Sequence, residues 1–546
     1  MWYSLKKLIS FAAKEFMSDK KKLSPILIMA VLSLFYFVVL IFPNMQGAED
    51  EMMLAVFDID EFAQYSHAVE MLSPFENLGG LIRNFVIYDH YFYGYPFYFF
   101  SGLSLIPIRL VQGSGWMSST TLIVTTLRQL VNVIPNLISI WLLTYVGTNY
   151  KYFWKTVGLF TFLLISPALM MNSLWWHPDG LGLMFASLTM FFLTLDKLNF
   201  KTFYWLAAVS TGIAFGIKYT GAFFVLVIPL YILLGMIEKK IDWKKALLFA
   251  AGFVALMAAS FVLSNPLLLT PIRSTVIDNQ ILQFDQTTSG IFVRSDGFLV
   301  NGRFPAWFIP LYGKPLLFVL LLVGIGFSLW KKETRGKVVL LLAWVIPYSY
   351  VVFTSSAQRS HYWLPIMLPA YLVMLSLVPE SFSKLKERWQ RSLTVVVLLS
   401  IAAQSILFLV EDVRQYSEAL HKEESSVELQ FSAYVKEEIV HPAYADEQLL
   451  LYRDWHIYYP DDEVATTMMD WELADYSLVR ENQPDFLLLE RANVVTYGDP
   501  EYLATSPDAE RTLRMHAFYA DALNDSIDGY SLIYEDDFGV VYQRID

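Results

Sequence analysis

The sequence predicts an α-helical polytopic membrane protein that ends in a soluble α/β domain. Three observations carry this prediction. Only 17% of the 546 residues are charged, against about a quarter in soluble globular proteins. Apolar stretches near the ~20 residues that a bilayer requires recur up to about residue 410. From residue 421 onward the chain instead carries 28 acidic residues against 8 basic ones, so two physically different regions are joined.

Eleven apolar stretches predict about 11 transmembrane helices within residues 24–411. The first, 24–43, follows an amphipathic N-terminus, residues 1–23, which contains Lys20, Lys21 and Lys22. This basic flank predicts a cytoplasmic N-terminus. The other stretches lie at about 120–146, 156–173, 178–195, 203–217, 219–236, 246–265, 313–330, 338–354, 361–378 and 392–410.

One further segment, 94–112, is also apolar enough to span the membrane. If it did so, the later basic loops would lie outside, contrary to the positive-inside rule. We therefore predict that it is an interfacial or re-entrant segment within one long first outer loop, residues 44–119. The predicted location is the plasma membrane.

On the same topology, residues 412–546 form an extracytoplasmic α/β accessory domain. Its apolar runs at 448–452, 485–489 and 539–542 alternate with helical stretches, which is typical of such a domain. The most site-like run within it is Arg453-Asp454-Trp455-His456-Ile457-Tyr458-Tyr459. The acidic composition of this region argues against nucleic-acid binding.

Composition also excludes several kinds of site. The chain has no cysteine, so disulfides, thiolate metal sites and cysteine nucleophiles are excluded. The sequence contains neither a phosphate-binding P-loop nor a dinucleotide fingerprint, so it gives no support to nucleotide-fuelled chemistry.

A carboxylate cluster, Asp58, Asp60 and Glu61, follows the first predicted span, and Tyr65 lies one turn further on. Acids at the outer mouth of a helix bundle can take a proton from a hydroxyl or hold a divalent cation. The alternative is a solvated loop in which a few acids are expected anyway. The clustering favours a functional site.

A second acid, Asp179, lies two residues after His177 at the start of a predicted span. The two side chains could ligate a metal or share a hydrogen bond, although a Pro–Asp helix start at the membrane interface explains them equally well. Asp60, His177 and Asp179 are the candidate metal ligands. The sequence makes no cofactor certain and leaves a divalent metal open.

Basic side chains on the predicted outer face form a third group. Lys218 lies in a tight connection between two spans, and Arg128 lies within a span. Arg359 precedes His361 and Tyr362 in a later outer segment. A cation placed against the positive-inside trend requires a partner. That partner is either an acid of the bundle or the phosphate of a lipid substrate, which arginine can bind with two hydrogen bonds.

Several short motifs follow one another along roughly residues 20–410. They are Asp60-Glu61, Tyr93-Gly94-Tyr95-Pro96-Phe97-Tyr98, Leu127-Arg128-Gln129-Leu130, Asp179, Gly216-Ile217-Lys218-Tyr219 and Arg359-Ser360-His361-Tyr362-Trp363-Leu364-Pro365. In this order they resemble the GT-C superfamily of integral-membrane glycosyltransferases. The resemblance is strongest to the protein O-mannosyltransferase and lipid A aminoarabinose transferase types, and it implies the GT-C fold.

The resemblance further implies transfer of a sugar from a polyprenyl-phosphate donor to a hydroxyl of a protein, lipid or glycan acceptor, usually with inversion. Asp60 would be the general base, with Asp58, Glu61 and Asp179 as the other catalytic candidates. Lys218 and Arg359 would bind the donor phosphate. The remaining substrate-binding candidates are Tyr65, Arg128, His177, His361 and Tyr362.

Two other functional classes stay open at this point. Many spans joined by polar outer loops also suit a transporter or a flippase of lipid-linked sugars, although transporters tend to carry their charges at mid-membrane and to show paired halves. A scaffold without catalytic activity is the second alternative. The sequence specifies neither the sugar nor the acceptor.

Overall fold

The computed structural model describes residues 20–545 except 74–76, 89, 290–307, 355–358, 381–386, 472 and 506–508. Residues 1–19 of the predicted amphipathic N-terminus, 1–23, lie outside the described residues. The described chain is mostly helical, and a small sheet lies near its C-terminal end.

Seven helices in the described part of the chain are long and apolar enough to cross a membrane. They are Lys22–Met45, Thr120–Thr148, Asp179–Asp196, Thr220–Ile237, Trp243–Ser264, Lys332–Phe353 and Arg388–Leu420. The helices Phe153–Leu164 and Pro167–Ser173, which meet at 56°, bring the number to eight if the bent pair crosses as one span. The bend follows from Pro167, because a proline forces the preceding residue, here Ser166, into an extended conformation. The protein is therefore an integral membrane protein.

The predicted number of eleven spans is not confirmed. Two predicted stretches form shorter apolar helices, Thr202–Ile217 and Pro315–Trp330. The stretch 361–378 contains a short α-helix, Leu364–Ala370, followed by a 3-10 helix, Tyr371–Ser376. The backbone stays helical where the α-helix passes into the 3-10 helix after Ala370, but neither piece is among the candidate spans of the described chain.

The membrane region contains twenty α-helices within the described residues. They are Lys20–Val39, Ile41–Met45, Glu51–Phe57, Ile59–Glu70, Leu78–Val86, Tyr95–Gln112, Thr120–Leu127, Ile134–Thr148, Phe153–Leu164, Pro167–Ser173, Asp179–Asp196, Thr202–Ile217, Val227–Ile237, Trp243–Ser264, Arg273–Ser289, Ile309–Tyr312, Pro315–Trp330, Lys332–Thr354, Leu364–Ala370 and Arg388–Leu420. A π-helix, Arg128–Val133, lies within the second span. The other 3-10 helices here are Gly113–Ser118, Tyr219–Leu226, Pro266–Leu269 and Ser360–Trp363.

The segment 94–112 forms a helix, Tyr95–Gln112, which is not among the candidate spans of the described chain. Its start is tied to the membrane helices, because the backbone N–H of Gly94 donates to the carbonyl of Ile217 at 3.1 Å. The N–H of Tyr95 donates to the Asn265 side chain at 2.9 Å. A Cβ atom at position 94 would overlap the carbonyl oxygen of Gly216. Glycine is therefore required for this close approach of the first outer loop to the turn that contains Lys218.

The C-terminal region contains a five-stranded sheet, which confirms the predicted α/β domain. The strands are β1 (Leu449–Arg453), β2 (Ala465–Met468), β3 (Phe486–Glu490), β4 (Tyr530–Glu535) and β5 (Gly539–Arg544). Their order is β2-β1-β3-β5-β4, with β1 parallel to β2 and β3, and β5 antiparallel to β3 and β4. Leu451 lies opposite Phe486, and all five residues of β3 are buried, so both faces of the sheet are covered.

Helices of the C-terminal region pack on this sheet. They are Val427–Tyr434, the π-helix Val435–Val440, His441–Ala443, Tyr476–Asn482, Arg491–Gly498, Pro500–Thr505 and Ala509–Leu523. The helix Arg388–Leu420 continues beyond the predicted domain boundary at residue 412. The last membrane helix therefore carries the chain directly into the soluble region.

Candidate active site

A cavity of about 740 Å³, called the polar cavity below, lies where the first outer loop, the membrane helices and the C-terminal region meet. Four of the sequence-predicted site residues line it: Asp58, Asp60, Arg359 and His361. The other lining residues are Phe57, Ile59, Met171, Leu174, Trp175, Ser360, Gln415, Glu418, Ala419, Lys422 and His456. The structure thus brings the first acidic cluster and the Arg359 segment to one surface.

Asp58 and Asp60 occupy different positions at the start of the helix Ile59–Glu70. Asp58 is its N-cap, and the Asp58 carboxyl accepts hydrogen bonds from the backbone N–H groups of Asp60 and Glu61, each at 3.1 Å. Burial and the neighbouring acids Glu61 and Asp60 raise the pKa of Asp58 well above its usual range. The half-buried Asp60 carboxylate makes no hydrogen bond to the described residues and lines the polar cavity. Of the two aspartates, Asp60 is therefore the one whose carboxylate lines the polar cavity without a hydrogen bond to the described residues.

The capping role of Asp58 gives a first prediction. Asp58→Asn keeps the side-chain oxygen that caps the helix, so we expect it to unfold thermally like the wild type in detergent. Asp58→Ala removes the cap and is expected to lower the free energy of unfolding by about 0.5–2 kcal/mol. Equal destabilisation by the two variants would show that the charge of Asp58, and not its cap, stabilises the fold.

Glu61 and Arg128 form a buried ion pair and do not line the polar cavity. Their side chains are 0% and 1% exposed. Arg128 Nε donates to Glu61 Oε1 at 2.8 Å, and a second hydrogen bond joins Nη2 to Oε2. Arg128 Nη1 also donates to the carbonyl oxygens of Asn44 and Gln46, each at 2.9 Å. Both side chains are thus paired with each other inside the protein, away from the polar cavity, and Tyr65 is likewise buried in the core.

Asp179 connects residues that are distant in sequence. Its Oδ1 atom accepts a hydrogen bond from Lys218 Nζ at 3.0 Å. Its Oδ2 atom lies 2.9 Å from His177 Nδ1 and 3.5 Å from His361 Nε2. The other ring nitrogen of His177 lies 3.0 Å from the hydroxyl of Tyr93. Asp179, Lys218, His177 and His361 are called the Asp179 cluster below.

Three members of this cluster could hold a divalent cation. His177 Nδ1, a carboxylate oxygen of Asp179 and a ring nitrogen of His361 all lie within 4.8 Å of one another. His177 Nδ1 and Asp179 Oδ2 are buried and have no well-aligned hydrogen bond within the described residues. Two imidazole nitrogens and one carboxylate oxygen are a donor set that zinc accepts. The sequence had suggested Asp60 as the third candidate ligand. In the structure Asp60 is not part of this group, and the third candidate is His361.

A second cavity, of about 320 Å³, lies on the other side of Lys218 and is called the apolar cavity below. Among the described residues that line it, Lys218 alone is charged. The others are Tyr88, Gly94, Phe215, Gly216, Ile217, Phe261, Asn265, Leu268, Val276, Ile277, Gln280 and Ile281. The Lys218 ammonium also lies 5.0 Å from the ring centre of Tyr362 and 5.9 Å from that of Tyr93.

Lys218 and Arg359, which the sequence suggested as joint phosphate ligands, line different cavities. The Asp179 cluster lies between these cavities, because Asp179 contacts Lys218 on one side and His361 on the other. A ligand that reaches from the apolar cavity to the polar cavity would therefore pass this cluster.

The sequence analysis missed Lys422 and Trp175 as lining residues. Lys422 follows the last predicted span on the predicted outer side, against the positive-inside trend, so the criterion that identified Arg359 would also have found it. Trp175 stacks on the His177 ring at 4.1 Å between centroids, and its sequence position alone suggests only an interfacial aromatic. His456 lies in the run that the sequence singled out in the C-terminal region.

No protein-family model matches the chain, and no curated protein matches it in sequence. Solved structures do match. The Archaeoglobus fulgidus oligosaccharyltransferase tethered with an acceptor peptide containing the NVT sequon aligns at a TM-score of 0.52 and 10% identity, over 97% of this chain and 75% of that one. Its apo form aligns at the same TM-score and identity, over 95% and 74%.

The chain has the GT-C fold. ArnT from Cupriavidus metallidurans bound to undecaprenyl phosphate also aligns, at a TM-score of 0.48 and 12% identity, over 95% of this chain and 98% of that one. The predicted fold class of the membrane region is confirmed. At such low identity the GT-C likeness establishes the fold, and the chemistry has to come from the residues of the two cavities.

Proposed function

We propose that this protein is a glycosyltransferase that moves a sugar from a polyprenyl-phosphate donor to an acceptor hydroxyl at the outer face of the plasma membrane. Its N-terminus would lie inside and its C-terminal domain outside. One observation carries the proposal. The Asp60 carboxylate lines the polar cavity, and the Asp179 cluster lies between that cavity and an apolar cavity that ends at Lys218.

The apolar cavity suits the lipid end of such a donor. A polyprenyl phosphate is an apolar chain with one phosphate at its end, and the lining consists mostly of apolar side chains, with one cation and the amides of Asn265 and Gln280. The Lys218 ammonium is held by Asp179 at 3.0 Å and by the rings of Tyr362 and Tyr93. A lysine fixed in this way binds phosphate as a point charge. The sugar on that phosphate would extend past Asp179 towards Asp60.

Transfer would then proceed by a single displacement. The Asp60 carboxylate takes the proton from the acceptor hydroxyl while that oxygen forms a bond to the anomeric carbon. The bond between the anomeric carbon and the phosphate oxygen breaks, and its electron pair stays on the phosphate. Lys218 stabilises this charge. Attack opposite the leaving phosphate inverts the configuration at the anomeric carbon.

The Asp179 cluster would orient the reactants between the two sites. Asp179 fixes the Lys218 ammonium, and His177 is held in turn by Tyr93 and by stacking on Trp175. A divalent cation held by His177, Asp179 and His361 would supply further positive charge near the leaving phosphate. The proton transfer and the binding of the lipid phosphate remain the work of Asp60 and Lys218.

The role of Lys218 gives a second prediction. We expect Lys218→Met to lower the transfer rate by about 10²–10³-fold, because the leaving phosphate loses its fixed counter-charge. Lys218→Arg should retain part of the rate. Lys240→Met is the matched control, since Lys240 is exposed in the connection after the helix Val227–Ile237.

The measurement is transfer of radiolabelled sugar from a panel of polyprenyl-phosphate sugars in purified membranes that contain the natural acceptor pool. Unchanged transfer by Lys218→Met would contradict the assignment of the leaving phosphate. No transfer from any donor would contradict the glycosyltransferase itself. Movement of intact labelled donor across sealed vesicles would instead support a flippase.

A further inference from the structure

The C-terminal region is strongly acidic, yet it contributes basic residue types to the wall of the polar cavity. Residues 421–546 hold 28 acidic side chains against 8 basic ones. Yet the described residues of this region that line the cavity are Lys422 and His456. In a region this acidic, the part of the cavity wall that it contributes is nevertheless formed by a lysine and a histidine.

The Lys422 side chain is held in one direction by the chain around Gly47. Gly47 has a positive φ of 65°, and a Cβ atom there would lie 2.6 Å from Lys422 Nζ, so the ammonium fills the space that glycine leaves. The ammonium also lies 4.8 Å from the ring centre of Phe57. The neighbouring Glu423 carboxylate accepts a hydrogen bond from the Gly47 N–H. Lys422 itself has no hydrogen bond or ion pair from its side chain within the described residues.

The His456 side chain is hydrogen-bonded to the backbone of the first outer loop. Its Nδ1 atom donates to the carbonyl oxygens of Ala55 and Val56 at 3.1 and 3.2 Å. The hydroxyl of Tyr458 donates to Asp50 Oδ2 at 2.6 Å, which fixes the same strand-end loop to the start of the helix Glu51–Phe57. The soluble domain is thereby joined to the loop that carries Asp60, and its side chains have fixed positions at the cavity.

The acids of the polar cavity, Asp60 excepted, already have partners. The Asp58 carboxyl accepts hydrogen bonds from the backbone N–H groups of Asp60 and Glu61. Glu418 is paired with Arg414, whose Nη1 atom lies 2.7 Å from Glu418 Oε1. Asp60 is thus the one acid of the described lining whose side chain makes no hydrogen bond or ion pair, and it shares the cavity with the basic side chains of Lys422 and Arg359. The described lining therefore offers two basic side chains against one acid without a partner.

We infer that the polar cavity recognises acceptors that carry an anionic group, a phosphate or a carboxylate, and that Lys422 and Arg359 bind this group beside the hydroxyl that Asp60 deprotonates. The inference rests on the proposed function and specifies its acceptor. The donor phosphate has its own cation, Lys218, in the other cavity, so a second pair of cations calls for a second anion.

The protonation of Lys422 gives this site a pH dependence. Burial and the nearby Arg128 guanidinium lower the pKa of Lys422 to about 7, although Glu61, Asp58 and Glu423 act in the opposite direction. As the pH rises through 7, Lys422 loses its charge, and the KM for the acceptor should rise. Lys422→Arg keeps its charge over this range, so this variant should lose the pH dependence while it still binds the acceptor.

The experiment measures transfer in membranes at saturating donor, over a dilution series of the acceptor pool. We expect Lys422→Met to raise the acceptor KM about tenfold or more, with the donor KM and kcat little changed. Inorganic phosphate should inhibit the wild type competitively against the acceptor and should inhibit Lys422→Met much less. Arg480→Met, which removes an exposed cation of the same region, is the control.

Two outcomes would overturn the inference. A rise in the donor KM with an unchanged acceptor KM would assign the anion to the donor phosphate. An unchanged acceptor KM in Lys422→Met, with phosphate inhibition retained, would show that Lys422 binds nothing. If Lys422→Met does not fold, the pH profile of Lys422→Arg decides, since a profile identical to the wild type would contradict the inference.

Failure of the proposed function is recognised separately. If the purified wild-type protein transfers no sugar, equilibrium dialysis with radiolabelled inorganic phosphate still tests the anion site. Binding that is about tenfold weaker in Lys422→Met than in the wild type would support the site without the reaction. Equal phosphate binding by the wild type and Lys422→Met would overturn the anion site as well.

Discussion

Asp60→Asn is expected to lower the rate of sugar transfer by about 10²–10⁴-fold and to leave donor binding intact. Asparagine keeps the size of the side chain and one oxygen but cannot take a proton from the acceptor hydroxyl. The Asp60 carboxylate has no hydrogen bond within the described residues, so the substitution removes no contact that stabilises the fold. Single-turnover transfer measures the chemical step, and binding of a labelled donor is measured separately.

Two variants serve as controls for this experiment. Asp58→Asn changes the neighbouring acid and keeps its cap, so it should transfer sugar at nearly the wild-type rate. Glu49→Gln removes an exposed acid of the same loop and should also have no effect. Full activity of Asp60→Asn would contradict its role as the general base. Loss of donor binding in that variant would show instead that Asp60 binds the donor.

The three clustered acids show how far spacing alone can predict a site. Successive residues of an α-helix point about 100° apart, so Asp60 and Glu61 point in different directions. One lines the cavity, and the other turns inward to Arg128. The sequence predicts that an acid of this cluster faces the site and does not say which one. Asp58, by contrast, is a preferred N-cap residue, and its role could have been predicted.

Lys218 and Arg359 show a different limit of prediction from sequence. The positive-inside rule identifies Lys218 and Arg359 as outer-face cations, and both line a cavity. Which cavity each one lines depends on helix packing across the whole bundle, which local sequence does not encode. The contact of His361 with Asp179 is of the same kind, since it joins segments that lie far apart in the chain.

Hydropathy predicted the fold class better than it predicted the number of spans. The apolar runs of the C-terminal region coincide with β1, β3 and β5, because a buried strand needs a short apolar run whatever its neighbours. The stretch 361–378 is also apolar, yet its helix changes from an α-helix to a 3-10 helix after Ala370. Hydropathy measures composition, and it does not report such a change in the pattern of backbone hydrogen bonds.

The buried pair of Glu61 and Arg128 leads to the second prediction with a large effect. We expect Arg128→Met to lower the free energy of unfolding by about 3–5 kcal/mol, measured by denaturant titration in detergent micelles. The substitution leaves the Glu61 carboxylate charged and buried without its partner, and it removes the donors to the carbonyl oxygens of Asn44 and Gln46. A charge stranded in this way is far more costly than a lost surface contact.

The double variant Arg128→Met/Glu61→Gln tests whether the unpaired charge of Glu61 causes the loss of stability. Glutamine is neutral and keeps an oxygen that can still accept the hydrogen bond from the Trp176 N–H, so the double variant should regain a large part of the lost stability. If Arg128 instead bound substrate, as its sequence position had suggested, Arg128→Met would raise the KM for the donor and leave unfolding unchanged. The bidentate contact with Glu61, 1% and 0% exposed, predicts the first outcome, because neither side chain can reach a ligand without breaking the other's pairing.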